Sequence, residues 1–358
     1  MLHSILLLHL SFGASLTILS MILTRVMIYH FRIMDNPTHR SSHTDPVPKS
    51  GGISIVATFM IGVIVIYFVS DKAVIERWFF FSFVFSSLFT AGYCFYDDYT
   101  HRPVIYKLSA QLIVVLLVLS SGIVLDIISL PLMGNVKLGL IGYPISFIWI
   151  LGLTNAFNFM DGLDGLAAGV AVIVSTFFCY ITFTQGSFFV YIICYTLITG
   201  SLGFLFYNFP PARVFMGDVG SAFLGFVFAV LAITASRYDH SHTSFMVIPL
   251  LLFNFIYDTS FTFVRRLLRG ENVMEAHRTH LYQIFNRLGY THRTVSLFHY
   301  GICILQGFAA IWMVRIPSNP RTLIFIPFLV LQIIYSIIIM RSAKKKGLLI
   351  TTRETVAE

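Results

Sequence analysis

Charge is what this sequence has least of. Only 11% of its 358 residues are Asp, Glu, Lys or Arg, against about 25% in ordinary soluble domains. Hydrophobic residues make up 57%, and the mean hydropathy is +0.82. That leaves too little polar surface to keep a 40.5 kDa globule in water. A secreted domain, a cytosolic Rossmann enzyme and a nucleic-acid binder are therefore excluded. Cysteine is scarce too. Cys94, Cys179, Cys194 and Cys303 all sit in apolar stretches without a C-x-x-C pair, and they read as small buried hydrophobes. Internal repeats, low-complexity tracts and a second domain are also lacking. The 36 Phe and 17 Tyr are too scattered for the alternating strands of an outer-membrane barrel.

Long apolar runs are what the sequence does have. A bilayer core takes about 20 apolar residues per helix, and eleven stretches qualify: 4–29, 51–70, 78–96, 106–124, 142–157, 165–184, 188–207, 219–236, 244–266, 294–315 and 322–341. The fold class expected is an all-α, polytopic integral membrane protein with about eleven transmembrane helices. The first run lacks a basic start and a small-x-small cleavage site, so it reads as an anchor. An odd number of spans puts the termini on opposite sides. Lys and Arg favour one set of loops about three to one, which assigns that set to the cytoplasm and places the N-terminus outside and the C-terminus inside. Residues 1–341 are expected to form one membrane domain with inner loops at about 30–50, 97–105, 155–165, 208–221 and 267–293, and residues 342–358 a basic tail. The longest outer loop, about 124–141, carries Pro131 and Gly134-Asn135 and predicts a small hairpin.

The acids crowd onto the inner face. The first inner loop joins Asp35, His39, Arg40 and His43 to Pro46-Val47-Pro48-Lys49-Ser50-Gly51-Gly52. A glycine pair opening a helix offers free N–H groups to an anion; the plain alternative is a basic loop with turn residues. The third span ends in Asp97-Asp98, adjacent carboxylates that need a cation or a proton at a membrane edge. Asn155, Asn158, Asp161 and Asp164 recur every third residue, with Gly162 and Gly165 between them. Neighbours in that series share a helix face, and a 3₁₀ turn would stack all four. Asn208 precedes Pro210-Pro211, and Phe215-Met216-Gly217-Asp218 then opens the next span; an acid there can hold Mg²⁺ or simply cap a turn. The last large loop carries His277-Arg278-Thr279-His280, read as an anion clamp. An amphipathic stripe of Leu281, Ile284, Phe285 and Leu288 follows, ending at Gly289 and suited to packing or the interface. Asp258 lies inside a span, either functional or hydrogen-bonded to a neighbouring helix. Acids for Mg²⁺ and bases for phosphate thus share one surface beside lipid, the equipment for phosphoryl transfer between a soluble nucleotide and a membrane lipid. A transporter of lipid-linked or phosphorylated sugars is the rival, but it would place its ionisable groups near the midplane.

At these residues the chain resembles the polyprenyl-phosphate N-acetylhexosamine-1-phosphate transferases, a family that includes the phospho-N-acetylmuramoyl-pentapeptide transferases. The likeness runs from Asp35 to His292 through the Arg40 to Gly52 loop, Asp97-Asp98, Asn155 to Asp164, Asn208 to Ser221 and the His277 to His280 loop. It implies transfer of N-acetylhexosamine-1-phosphate from a UDP-sugar to undecaprenyl phosphate in the bacterial inner membrane, at its cytoplasmic face, with release of UMP. Mg²⁺ is the implied cofactor, with Mn²⁺ as a substitute. By motif, Asp218 resembles the metal ligand with Asp161 near it, Asp97 the base with Asp98 beside it, and Asn158 and Asn208 the nucleotide-sugar contacts. Phe215 and Asp164 resemble the uracil partners, Lys49 a phosphate ligand, and His277, Arg278 and His280 the clamp on diphosphate or sugar. The pentapeptide branch carries a triple-histidine cluster in the last large loop. His-Arg-Thr-His here resembles instead the branch that starts O-antigen, enterobacterial-antigen or teichoic-acid chains. Partners are thus the nucleotide sugar, the lipid acceptor and the membrane, with no nucleic acid and with a homodimer left open.

Overall fold

A computed structural model describes residues 2–348 apart from 32, 38–44, 70–75, 101, 132, 188, 238–241, 274 and 276. His39, Arg40 and His43, and the tail beyond residue 348, lie outside the described residues. The chain runs through helices α1 (Leu2–His30), α2 (Gly52–Val69), α3 (Arg77–Thr100), α4 (Val104–Ser120), α5 (Gly142–Phe159), α6 (Leu166–Thr184) and α7 (Phe189–Asn208). It continues through α8 (Gly217–Arg237), α9 (Val247–Leu251), α10 (Phe253–Leu268), α11 (Leu281–Arg287), α12 (His292–Met313), α13 (Ser318–Arg321) and α14 (Phe325–Lys345). Two short antiparallel ladders accompany them. β1 (Met34–Asp35) pairs with β2 (Val47–Pro48) inside the first loop, and β3 (Ile127–Leu130) pairs with β4 (Gly134–Lys137) where the outer hairpin was expected.

Among the described residues nine helices are long and apolar enough to cross a membrane, and the chain is an all-α multi-pass membrane protein. Two expected spans fall short of that standard. The fourth forms the shorter apolar helix α4, and the ninth is broken at Leu252 into α9 and α10.

The centre of the bundle is α8, in which every residue from Val219 to Ala235 is buried. A helix that is apolar all round has no lipid- or water-facing stripe and must be enclosed by others. Without a hydrophobic drive between helices in lipid, close approach depends on small residues and interhelical hydrogen bonds. Both occur here. A side chain on Gly225 would meet Leu153 O and Phe157 Cβ at 2.8 Å. Ser20 Oγ donates to Gly200 O at 2.6 Å, and Thr24 and Ser54 hydroxyls meet at 2.7 Å.

The starts of α2 and α8 abut. Gly51 N donates to Phe215 O (3.0 Å), Gly52 N to Met216 O (2.9 Å) and Phe215 N to Pro48 O (2.7 Å). Several of the amides expected to be free for an anion are therefore spent joining the two loops, because both helices leave the membrane at the same place. A Cβ on Gly52 would stand 2.5 Å from Gly220 N and Met216 O, backbone atoms that cannot yield without moving α8. Gly52→Val should cost about 1–3 kcal/mol by overpacking and lower the melting temperature of the solubilised protein. Gly152→Ala, whose added Cβ meets nothing within 4 Å, should not. Thermal unfolding of both variants checks this.

Candidate active site

The polar residues of all five inner loops converge on one cavity of about 340 Å³ at the end of the bundle where α2 and α8 begin. Lys49, Asp98, Asn158, Asp161, Asp164, Asn208, Phe215, Asp218 and Arg278 line it, with Asp35, Gly217, Ser221, Gln283 and Asn286. Of the residues expected from sequence, Asp97, His277 and His280 are not in its wall.

Asp218 stands on the first turn of α8 and is held from two sides. Lys107, from the start of α4, donates to Asp218 Oδ2 at 2.5 Å and to Asn158 Oδ1 at 3.0 Å. Asn158 Nδ2 donates to Asp218 Oδ1 at 2.9 Å and to Ser221 Oγ at 2.8 Å. Asp98 accepts from Val219 N at 3.3 Å and pairs with Lys49 at 3.5 Å. Gly217 has φ +68°, and a Cβ there would press on Lys49 O at 2.4 Å, so glycine is what lets the chain turn into α8 beside these charges.

The Asn155 to Asp164 series does not stack on one helix face. Helix α5 ends at Phe159. Asn155 turns to Gln111, its Nδ2 donating to Oε1 at 2.8 Å. Asn158 faces Asp218, and Asp161 and Asp164 lie on the loop beyond the helix. Burial, and then the charges of Asp218, Asp98 and Asp164, push the Asp161 carboxyl up to about 8. Burial would raise Asp164 as well, but hydrogen bonds from His292 and the Ala212 N–H outweigh it and hold that carboxyl below its ordinary range. Asp164 Oδ1 meets His292 Nδ1 at 3.0 Å, and Oδ2 accepts from Ala212 N at 3.0 Å. Asn208 is a brace: its Oδ1 accepts from Gly165 N (3.0 Å) and its Nδ2 donates to Val214 O (2.8 Å), tying the loop after α5 to the loop before α8.

The expected clamp is narrowed to Arg278. His280 is 5% exposed, and its Nδ1 lies 3.3 Å from Asp258 Oδ1 beneath α11. His277 stacks on His280, with ring centroids 4.9 Å apart. Burial, and then His280 and the nearby Arg266 and Arg265, push His277 down to about 3, so it is neutral and brings no charge to an anion. Asp97 is half-buried outside the cavity wall, and its Oδ1 has no hydrogen-bond partner among the described residues.

Residues that sequence reading passed over are also in place. Lys107 counted only as an inner-loop charge, although a lysine at the mouth of an apolar span was the available signal. Gln283 and Asn286 occupy the polar side of α11. Asp258 is the hidden support of that helix: Leu281 N and Tyr282 N donate to its Oδ1 and Oδ2 at 2.9 and 3.0 Å. These are the amides that a helix start leaves unpaired. The amphipathic stripe lies on protein rather than lipid, with Leu281 and Ile284 packed against Tyr335, Ile339 and Ala343.

No group of three His, Cys, Asp or Glu side chains is close enough to cage a metal ion among the described residues. Mg²⁺ does not need such a cage, because it is bound by one or two carboxylates plus substrate phosphates. Asp218 and Asp161 fit that pattern. Five carboxylates line one small cavity, and the charge crowding that adds to burial in raising Asp161 is what a cation would relieve.

A carboxylate-rich cavity with Lys49 and Arg278 in its wall, at the end of an apolar helical bundle, has the chemistry of an enzyme site suited to a phosphorylated ligand. The family model for glycosyl transferase family 4 matches residues 80–236. The chain is 33% identical over 282 residues to the probable undecaprenyl-phosphate N-acetylglucosaminyl 1-phosphate transferase of Bacillus subtilis (strain 168), covering 78% of this chain and 76% of that one. It is 26% identical over 317 residues to the decaprenyl-phosphate N-acetylglucosaminephosphotransferase of Mycobacterium tuberculosis (strain ATCC 25618 / H37Rv), covering 80% and 76%. A shorter match, 43% over 98 residues, covers 27% of this chain and 30% of a phospho-N-acetylmuramoyl-pentapeptide-transferase of Streptococcus suis (strain 05ZYH33). The chain belongs to the glycosyl transferase family 4 polyprenyl-phosphate hexosamine-1-phosphate transferases.

The role of Asp258 is open to test. Asp258→Ala should loosen α11, lowering thermal stability and exposing residues 277–290 to proteolysis. Asp258→Asn, which keeps an acceptor oxygen, should lose less. Melting curves and limited proteolysis of the two variants measure the difference.

Proposed function

We propose that this protein transfers N-acetylhexosamine-1-phosphate from a UDP-sugar to undecaprenyl phosphate at the cytoplasmic membrane face. UMP is released, and the lipid-linked sugar starts a cell-surface glycan such as O-antigen. N-acetylglucosamine is the donor sugar that the relatives' names favour. The observation that carries the reading is the convergence of Asp98, Asp161 and Asp218 with Lys49, Lys107 and Arg278 around one cavity beside lipid. The three-to-one distribution of Lys and Arg supports a cytoplasmic opening.

In the proposed reaction an oxygen of the lipid phosphate attacks the sugar-side (β) phosphorus of the donor. The new P–O bond forms as the bond to the UMP oxygen breaks. Catalysis of this kind is mostly positioning and charge stabilisation. Arg278 and Lys49 draw the diphosphate in. Phe215 supplies a ring for the uracil, and Asp164, fixed by His292, supplies an acceptor for its N–H. The Asp97-Asp98 pair takes any proton left on the acceptor phosphate, with Asp98 on the cavity side. Asp218 and Asp161 would hold Mg²⁺, with Mn²⁺ as a substitute; when bound, the ion neutralises charge on the diphosphate. Lys107 and Asn158 keep Asp218 aimed at that position.

UMP release from a panel of UDP-sugars, with undecaprenyl phosphate and Mg²⁺ in detergent, tests the whole reading. Wild-type protein should release UMP with an N-acetylated hexosamine donor, and no release from any member would end the proposal. Asp218→Asn and Asp98→Asn should each lose about 10²-fold or more in turnover. If Asp97→Asn keeps the wild-type rate while Asp98→Asn does not, the base is Asp98.

Mg²⁺ dependence should follow Asp161. Its carboxyl must lose a proton to hold the ion, and burial with the neighbouring acids pushes that carboxyl up to about 8. Apparent Mg²⁺ affinity should therefore rise with pH, by up to about tenfold per unit for one displaced proton, and level off above about 8. Titrating Mg²⁺ at pH 6.5, 7.5 and 8.5 reads this directly, and an Asp161→Asn variant should show a flat profile.

A further inference from the structure

A second and larger cavity lies away from the catalytic one. It is a slot of about 790 Å³ between α12 and α14, with α11 across one end. Its walls are almost wholly apolar, and Leu305, Ile334 and Ile338 are more than half exposed along them. Gly301 widens it, since a Cβ there would meet nothing within 4 Å. From Lys346 to Leu331 the slot follows about 15 residues of helix, or about 22 Å, enough to receive an acyl chain from one leaflet.

Only one end of the slot is polar, and there it is basic. Ser342 and Lys346 close it, with Lys346 Nζ donating to Leu288 O at 2.7 Å. The helices α11, α12 and α14 contain no Asp or Glu, while Arg287, Arg293, Arg341, Lys344 and Lys345 cluster at the same ends. A ligand matching both features has an apolar tail and an anionic head. Tyr335, 8% exposed on the wall of the slot, adds a buried hydroxyl without a hydrogen-bond partner among the described residues.

We infer that this slot binds an anionic phospholipid, with an acyl chain between α12 and α14 and its phosphate at Lys346. The site is separate from the catalytic cavity yet shares a wall with it. Phe285 and Leu288 of the α11 segment face the slot, while Gln283 and Asn286 face the catalytic cavity. A bound lipid therefore backs the short helix whose other side faces the reaction.

Photo-crosslinking of the full-length protein in phosphatidylcholine nanodiscs tests this, using trace diazirine-labelled phosphatidylglycerol or phosphatidylcholine and mapping the labelled peptides. The phosphatidylglycerol probe should label α12 and α14 well above the phosphatidylcholine probe. Lys346→Glu should remove at least about fivefold of that labelling, the value of one basic residue near a membrane surface. Gly301→Phe, whose Cβ would meet nothing within 4 Å and whose ring would occupy the slot, should suppress labelling by both probes. Melting curves on both variants keep a folding defect distinguishable from lost binding. Equal labelling by the two head groups, or anionic labelling unmoved by both substitutions, overturns the inference. So do crosslinks joining α12 or α14 of two copies, which would make the slot a protein interface. Displacement by polyprenyl phosphate at lower concentration than by phosphatidylglycerol also overturns it, assigning the slot to the acceptor instead.

Discussion

Asp218 stands at the end of the most deeply buried helix in the protein, and its charge has to be matched there. Lys107 and Asn158 match it from α4 and α5, reaching across 111 and 60 residues of chain. A carboxylate at a membrane edge has little water to share its charge with, so it needs partners held in place. That requirement fixes where α4 starts, how α5 ends and why α8 opens on a glycine. The loops on either side are then sewn to this point, by Asn208 between two of them and by the Gly51 and Gly52 amides between α2 and α8.

The same economy runs through the rest of the site. Lys49 pairs with Asp98, His292 with Asp164 and His280 with Asp258, so most of the acids at or behind the cavity have a named partner, whereas none is seen for the Asp161 carboxyl among the described residues. Burial, and then the repulsion of its neighbours, push the Asp161 carboxyl up to about 8. A site built this way leaves one place where added positive charge is favourable. In the proposed reaction, the donor diphosphate and its metal ion would enter there.

Much of this was legible in advance because membranes simplify sequences. Runs of apolar residues marked nearly all of the helices, and the scarcity of charge made the remaining acids conspicuous. Asp98, Asp161, Asp164, Asp218, Lys49 and Arg278 were chosen from sequence and do share a cavity. The errors came where periodicity stood in for contact. The regular spacing of Asn155, Asn158, Asp161 and Asp164 suggested one face, but α5 stops at Phe159 and the four side chains part company. His277 and His280 looked like an anion clamp by composition, yet burial leaves His277 uncharged and turns His280 toward Asp258.

The sequence by itself determined that the chain lives in a membrane, roughly where its helices run and which loops hold chemistry, because hydropathy and charge are local properties. Tertiary structure decided which charges meet. Lys107 and Asp218 are far apart in the chain, Asp258 serves a helix start more than twenty residues away, and α11 divides two cavities that no spacing rule could relate. Pairing of that kind depends on how helices cross, and crossing is set by small residues and buried contacts distributed over the whole chain.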